Sequence, residues 1–510
     1  MSLNSPVHNE RMSGMISAQR TLRSELVRDK HRPLYHIVAP EGVCRPFDPN
    51  GAIWWKGRYH LFYIFQDEHL PDGGHCWGHV SSPDLVHWRH HPTALFPAAG
   101  DPEEGIFSGC ALVSAEGIAT IVYLGVNSGV CIARSYDDNL DRWVKEPANP
   151  VIPIPTESDS NFGKYVVHDP HVWIENGSYY AIINGWAQWD TAYLFSSPDL
   201  VHWEYQHKFY QPRSEWTEKD EDVACPDFFP LGDRHMLLCI SHKRGCRYYI
   251  GTYKDQKFVP ERHARMNWDG GPCFAPESLL DPNGRRIFWA WALDRRSDKS
   301  AHESGWSGCM TLPRVISLDS GGELLIEPPQ ELNTLRGTLT RLENLIVKGQ
   351  VTINEVSGDS LEIQLEIDLL ESREVSVAVR CSPDGTECTL ITYNSVSHEL
   401  SIDVAKSSSD PSVKYPTLCW NPVSSWYKTE TDPGSTTQRA PLHLHDGEHL
   451  LLRIYIDRSI VEVFANSRQC ITHRIYPTRA DAREVRIHAD KSPVKVLGLT
   501  AWEMAPSNSW

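Results

Sequence analysis

SSPDLVHW runs from Ser81 to Trp88, and the same eight residues return from Ser196 to Trp203. Chance recurrence of an octapeptide in a chain of 510 residues is negligible, so the copies mark a repeated structural unit. Each follows a strand-like run and precedes another segment of the same character. Within each copy the Pro opens a turn, the Asp can cap it, and the Trp can pack beneath a sheet. Repetition of this kind predicts radial architecture, a propeller whose blades end a hairpin with the same turn.

The surrounding sequence agrees. AIWWKGRYHLFYIF (52–65), ATIVYLG (119–125), SYYAIING (178–185), RHMLLCIS (234–241) and RRIFWAWAL (285–293) are short alternating runs between turn residues. That pattern predicts many short antiparallel strands, with long amphipathic helices nearly absent after residue 30. EPPQELNTLRGTLTRLENL (327–345) reads as a Pro-started linker with a short helix. Beyond it, DSLEIQLEIDL, SREVSVAVRCS, HELSIDVA, HLLLRIYIDRSIVEVFAN and REVRIHA alternate between polar turns, the signature of a β-sandwich. The Ser-, Thr- and Pro-rich segment 406–440 reads as a long loop. The expected fold class is therefore all-β, a β-propeller followed by a C-terminal β-sandwich. The expected boundaries are an N-terminal extension over 1–30, the propeller over 31–335, a linker over 336–347 and the sandwich over 348–510.

With 49 Lys+Arg against 66 Asp+Glu, the net charge of −17 repels phosphate backbones and anionic lipid. Nucleic acid and membrane are thus excluded as expected partners, and no apolar run of eighteen residues is present to span a bilayer. The N-terminus carries no apolar segment resembling a signal peptide. The 13 cysteines are scattered, with no CxxC pair. Reduced thiols in the cytoplasm are the expectation, although a trimmed secreted form would begin alike. The 18 Trp, 19 Tyr and 14 Phe are a heavy aromatic load. Aromatic rings fill β cores and also line sugar-binding clefts, where their faces meet sugar C–H groups.

Three acidic places lie beside Pro and aromatics: Asp48 in RPFDPNG, Asp169 in VVHDPHVW, and Glu221, Asp222 and Asp227 in EDVACPDFF. Singly, Asp-Pro is an ordinary turn. On a propeller all three would meet where the inner strands converge, and paired carboxylates there suit cleavage of a glycosidic bond. His75 and His79 have a spacing that ligates zinc on a helix, but the stretch reads as strand and turn, so no metal is expected. HKRGCRYY (242–249) is locally basic; its arginines are expected to pair with the abundant acids. Neither a Gly-rich phosphate loop nor a serine nucleophile elbow occurs.

These motifs, with CWGHVSSPDLVHW, IFSGCALV, GGPCFAPES, GCMTLPRVISL and IYIDRSIVEVFAN in order, resemble glycoside hydrolase family 32, the invertases and fructanases. The resemblance implies a five-bladed β-propeller followed by a C-terminal β-sandwich, and retaining cleavage of a β-fructofuranosyl linkage in sucrose or a fructo-oligosaccharide, without a cofactor. It places the nucleophile at Asp48 and the transition-state stabiliser at Asp169, with supporting sugar contacts from Asn50, Gln66, Trp77, Phe107 and Ser108. Three positions depart from the family. Phe47 stands where the family has Asn, His168 where it has Arg, and Ala224 where it has the acid/base Glu. Phe47 and His168 remain expected substrate contacts. An alanine neither gives nor takes a proton, so the acid moved, the activity was lost, or the Glu was removed. Side chains two apart on a strand share a face, roughly 6.6 Å apart, which makes Asp222 the first candidate acid/base. Glu221 is a second, pointing the other way unless a bulge intervenes. Glu277 in CFAPES is a third, a carboxylate in a cleft-facing motif. Fructosyl transfer, an altered furanoside specificity and sugar binding without turnover stand as alternatives. The expected partner is a small sugar, and the chain is expected to be a monomer or homodimer.

Overall fold

A computed structural model describes residues 28–67, 74–185, 188–419 and 432–507. Five antiparallel sheets stand around one axis, beginning with Pro49–Trp55, Ile106–Val113, Pro170–Glu175, Ala224–Leu231 and Cys273–Leu280. These first strands contact one another in a closed ring, each touching the next and the fifth returning to the first. The N-terminal segment lies on the fifth blade, where Met310 N donates to Ile37 O at 2.8 Å.

The repeated octapeptide joins the third strand to the fourth in blades 1 and 3. Asp84 Oδ1 accepts from the amides of Val86 (3.1 Å) and His87 (2.8 Å), and Asp199 Oδ1 accepts from Val201 (2.9 Å) and His202 (2.8 Å). The indole of Trp88 donates to Leu85 O at 3.1 Å, and that of Trp203 to Leu200 O at 2.8 Å. Each Leu takes the left-handed conformation that bends the chain, with φ of 65° and 69°. Blade 2 holds a third copy that the sequence concealed. Ser135, Asp137, Leu140 (φ 58°) and Trp143 make the same cap and the same indole bond at 2.9 Å, with two residues inserted.

The propeller ends in a 3₁₀ turn, Gln330–Leu335. A 22-residue strand starts at Arg336 and pairs with the last strand, Glu484–Met504. Residues 336–347, expected as a linker, are therefore already sheet, because their alternating side chains pair along the last strand. The C-terminal strands form a ten-stranded sheet that folds on itself as a sandwich. Its core of Val, Ile and Leu includes Val347, Ile363, Ile391, Ile454 and Ile487, all buried. Of the expected loop 406–440, the end is a strand, Thr437–Pro441, and 420–431 fall outside the described residues.

The two domains are joined by buried charge. Glu462 of the sandwich accepts from Arg314 (2.6 Å), the Leu312 amide (2.6 Å) and His36 (3.1 Å), while Asp457 takes His36 Nδ1 at 2.8 Å. Burial alone would raise the Glu462 carboxyl, but Arg314 and His36 hold it down at about 2. Among the described residues no helix is long and apolar enough to cross a membrane.

Candidate active site

The site forms at the N-terminal ends of the inner strands, and proline explains why. Pro49 and Pro170 open their strands, and Pro226 and Pro276 sit at irregularities in theirs. Proline lacks an amide donor, so the ladder is interrupted there and the preceding residue is released from regular pairing. Four of the five inner strands carry a register shift near this end, between Asn50 and Ile53, Ile106 and Gly109, Ala224 and Asp227, and Phe274 and Glu277. Cys225 and Ala275 adopt φ of 42° and 44°, strained for non-glycine residues. The bulges re-aim the flanking groups toward the axis.

Asp48 and Asp169 stand just before the first and third inner strands, and the fold brings them together. They are 8% and 4% exposed. Burial first, and then the negative charge of Asp169, push the Asp48 carboxyl up to about 8. Ser108 Oγ reaches its Oδ2 at 3.5 Å, and its buried Oδ1 meets no hydrogen-bond donor among the described residues. Burial also acts on Asp169, but it is outweighed. His168 Nδ1 lies 3.1 Å from Oδ1, and the Cys225 amide donates to Oδ2 at 3.1 Å, leaving Asp169 below its ordinary value. Environment alone thus pushes the two neighbouring carboxyls in opposite directions, Asp48 up and Asp169 down.

The remaining expected residues sort by position. Ser108 joins the pair, and its Oγ also receives the Cys225 thiol at 3.6 Å. Phe107 is half-buried against His75, with Gln66 exposed at its strand end. Asn50, expected at the sugar, braces the backbone around Asp48 instead: its Nδ2 donates to Asp48 O at 2.8 Å and its Oδ1 accepts from Gly109 N at 2.9 Å. Phe47 and Trp77 are both wholly buried rather than facing the cleft. Phe47 packs on Tyr63 with ring centres 5.0 Å apart, and the Trp77 indole donates to Phe107 O at 3.0 Å.

The three acid/base candidates are all otherwise engaged. The strand starts only at Ala224, so Asp222 precedes it and shares no pleat with position 224. Its carboxylate grips His242, accepting from the amide at 3.0 Å and lying 2.6 Å from Nδ1. Despite burial, that pairing holds Asp222 below its ordinary value. Glu221 points into the protein and takes both arms of Arg265 at 2.9 and 2.6 Å, which overcomes burial and holds it at about 2. Glu277 lies farther along its strand, with the residues lining a cavity of about 440 Å³ inside the ring. Its Oε1 accepts from the Ala52 amide at 2.9 Å. Burial, and next Asp227, raise it well above the ordinary range. Glu277 therefore clasps the bulge that carries Asp48. Asp227 is bonded to Ser278 and lies 3.5 Å from His171, two residues that line that cavity. Ala224 itself is fully buried, in one apolar cluster with Phe47, Phe274 and Trp291.

The basic stretch 242–249 is spent on acids, as expected: Arg247 pairs with Asp190 at 3.0 Å and Lys243 with Asp220 at 2.5 Å. His75 and His79 lie on one strand, four residues and roughly 13 Å apart. Among the described residues His79, His91 and Asp141 do come within 4.8 Å. The two imidazoles stack at 4.0 Å, 25° between planes, so their lone pairs run side by side and do not converge.

Two family models together account for nearly the whole described chain. The N-terminal domain of glycosyl hydrolases family 32 matches residues 36–328, and the C-terminal domain of that family matches 331–503. The chain belongs to glycoside hydrolase family 32. This family 32 chain is 28% identical to a fructan 6-exohydrolase of Beta vulgaris, over 93% of this chain and 87% of that one. It is 26% identical to a sucrose-6-phosphate hydrolase of Escherichia coli, over 92% and 94%. The structure superposes on a fructan 1-exohydrolase IIa of Cichorium intybus with a TM-score of 0.79, at 23% identity, covering 94% of this chain and 98% of that one.

Nothing in ACPDFF marks Cys225 as the amide that holds Asp169, because its left-handed backbone is not legible there. His242, the partner of Asp222, lies in the basic run 242–249, where only the arginines are expected to meet acids.

Proposed function

We propose that this protein hydrolyses the β-fructofuranosyl linkage of sucrose or a short fructo-oligosaccharide, with retention of configuration. The observation that carries the reading is the buried pair, Asp48 and Asp169, brought together at the axis of the propeller. Asp48, once ionised, attacks the anomeric carbon and forms a fructosyl ester. Asp169, ionised throughout and fixed by His168 and the Cys225 amide, accepts sugar hydroxyls and offsets the positive charge of the oxocarbenium-like transition state. Ser108, in reach of Asp48 and of the Cys225 thiol, orders the carboxylate between them. Family 32 membership over both domains supports the same linkage, and the relatives named above act on fructans and a sucrose phosphate. All thirteen cysteines are unpaired, which supports a reducing, cytoplasmic location.

The test is incubation with sucrose and 1-kestose in aqueous methanol. Retaining hydrolysis releases fructose together with methyl β-fructofuranoside, and a fructosyl adduct maps to the peptide bearing Asp48. Elongated fructans at high sucrose would mark a transferase instead. Binding of sugar without any release would refute the hydrolase.

A further inference from the structure

We infer that His168 is the proton carrier of this site, giving a proton to the leaving oxygen and later taking one from water, a role that rests on the hydrolase reading above. A group for this task must sit beside the reacting pair, hold a proton at neutral pH and be able to release it. Position 224 is an alanine methyl in the core, and the carboxylates near it are committed elsewhere: Glu221 to Arg265, Asp222 to His242, and Glu277 to the first-blade backbone. The Cys225 thiol sits 3.8 Å from Asp169, but burial, and then the charges of Asp169 and Asp48, raise it well above 9, too weak a donor.

His168 meets each condition. It immediately precedes Asp169, its Nδ1 lies 3.1 Å from that carboxylate, and its side chain keeps 19% of its surface open. The Cys225 amide holds the other oxygen of Asp169, so His168 and the chain beside position 224 meet on one carboxylate. Among the described residues, the charged groups around the ring include the carboxylates of Asp169 and Asp222, with the Asn184 amide beside it and His242 beyond Asp222. Burial works against the imidazolium, yet these partners raise it above 6.5. Asp169, His168, Asp222 and His242 thus alternate acid and base, and that alternation poises the proton.

The steps balance. As the Asp48 oxygen bonds to the anomeric carbon, the glycosidic C–O bond breaks and its electron pair leaves with the oxygen. That oxygen takes the proton on the imidazole nitrogen turned away from Asp169, releasing an alcohol and neutral His168. Water then attacks the anomeric carbon and gives His168 its proton, and the ester electron pair returns to Asp48. Enzyme and protonation state are restored.

The experiment compares wild-type protein with His168→Gln and His168→Asn on two substrates, sucrose and p-nitrophenyl β-fructofuranoside. The nitrophenolate leaves without protonation. Loss of a general acid is expected to cut kcat on sucrose by about 10²–10⁴, while the nitrophenol burst falls by less than about tenfold. The missing base in the second step is expected to be bypassed by azide, with fructosyl azide as product. The alkaline limb of the sucrose profile disappears in both variants. Equal losses on both substrates, no azide product, or unchanged sucrose turnover would each overturn the assignment. If wild-type protein cleaves neither substrate, the hydrolase reading itself falls.

Discussion

Asp48→Asn is expected to abolish turnover and, at neutral pH, to make the protein more stable. The Asp48 carboxyl titrates at about 8 in the fold against an ordinary 3.8. The folded state therefore binds the proton more tightly than the unfolded chain, and stability is lost as pH rises through this window. This is the reverse of the usual salt-bridged carboxylate. At pH 7, about three pH units above 3.8, each worth 1.36 kcal/mol, the cost approaches 4 kcal/mol. At pH 4.5 it is only about 1 kcal/mol. Asn fills the same space and carries no charge to desolvate. With an unfolding entropy of about 2.1 cal/mol/K per residue over 510 residues, about 4 kcal/mol corresponds to a rise in Tm of about 4 °C. The assay is calorimetry of wild-type and variant protein at pH 7 and pH 4.5, with sucrose turnover in parallel. The expected gain is about 4 °C at pH 7, shrinking to about 1 °C at pH 4.5. An equal shift at both pH values, or a lower Tm at pH 7, would refute the claim that the site holds this carboxyl at an energetic cost.

Further expectations concern the groups around that pair. The acid limb of kcat/KM, which reports the free enzyme, is expected near the value of about 8 at which Asp48 releases its proton; a limb below 5 would contradict the buried pair. Glu221→Gln breaks a buried carboxylate from the half-exposed Arg265, at a cost of about 2–4 kcal/mol in urea unfolding with the variant's KM unchanged. Because Glu221 titrates at about 2, its contribution is present above 4.5 and lost as pH falls toward 2, so the difference from wild type should shrink at pH 3. Glu277→Gln keeps an acceptor for the Ala52 amide and should leave kcat within twofold, whereas Glu277→Ala frees the bulge behind Asp48 and should cut kcat by about 10² at similar KM. Equal activity of the two Glu277 variants would remove that residue from the support of the nucleophile.

The architecture was legible because its signals are local. SSPDLVHW carries its own cap, turn and buried indole, so two intact copies announce a repeated blade wherever they stand. The third copy escaped because two inserted residues break the match while the bonds to Asp137 and Trp143 survive. The Asp-Pro pairs pointed to Asp48 and Asp169 because proline interrupts the ladder just where each acid must be released from it. What failed was reasoning that extended a regular strand past its end. Asp222 was placed on the face of residue 224 by pleat arithmetic, but the strand begins at 224.

Composition, the octapeptide repeat and the order of motifs thus determined an all-β chain of propeller and sandwich with two acids at its axis. They did so because strand periodicity and turn chemistry are written in adjacent residues. Only the tertiary structure decided what each acid can do. Whether Glu221 meets Arg265, Asp222 meets His242, or Asp169 meets the Cys225 amide depends on residues 20 to 56 positions apart and on which way a bulge turns them. Protonation follows from those contacts and from burial, and neither is a property of any short stretch of sequence.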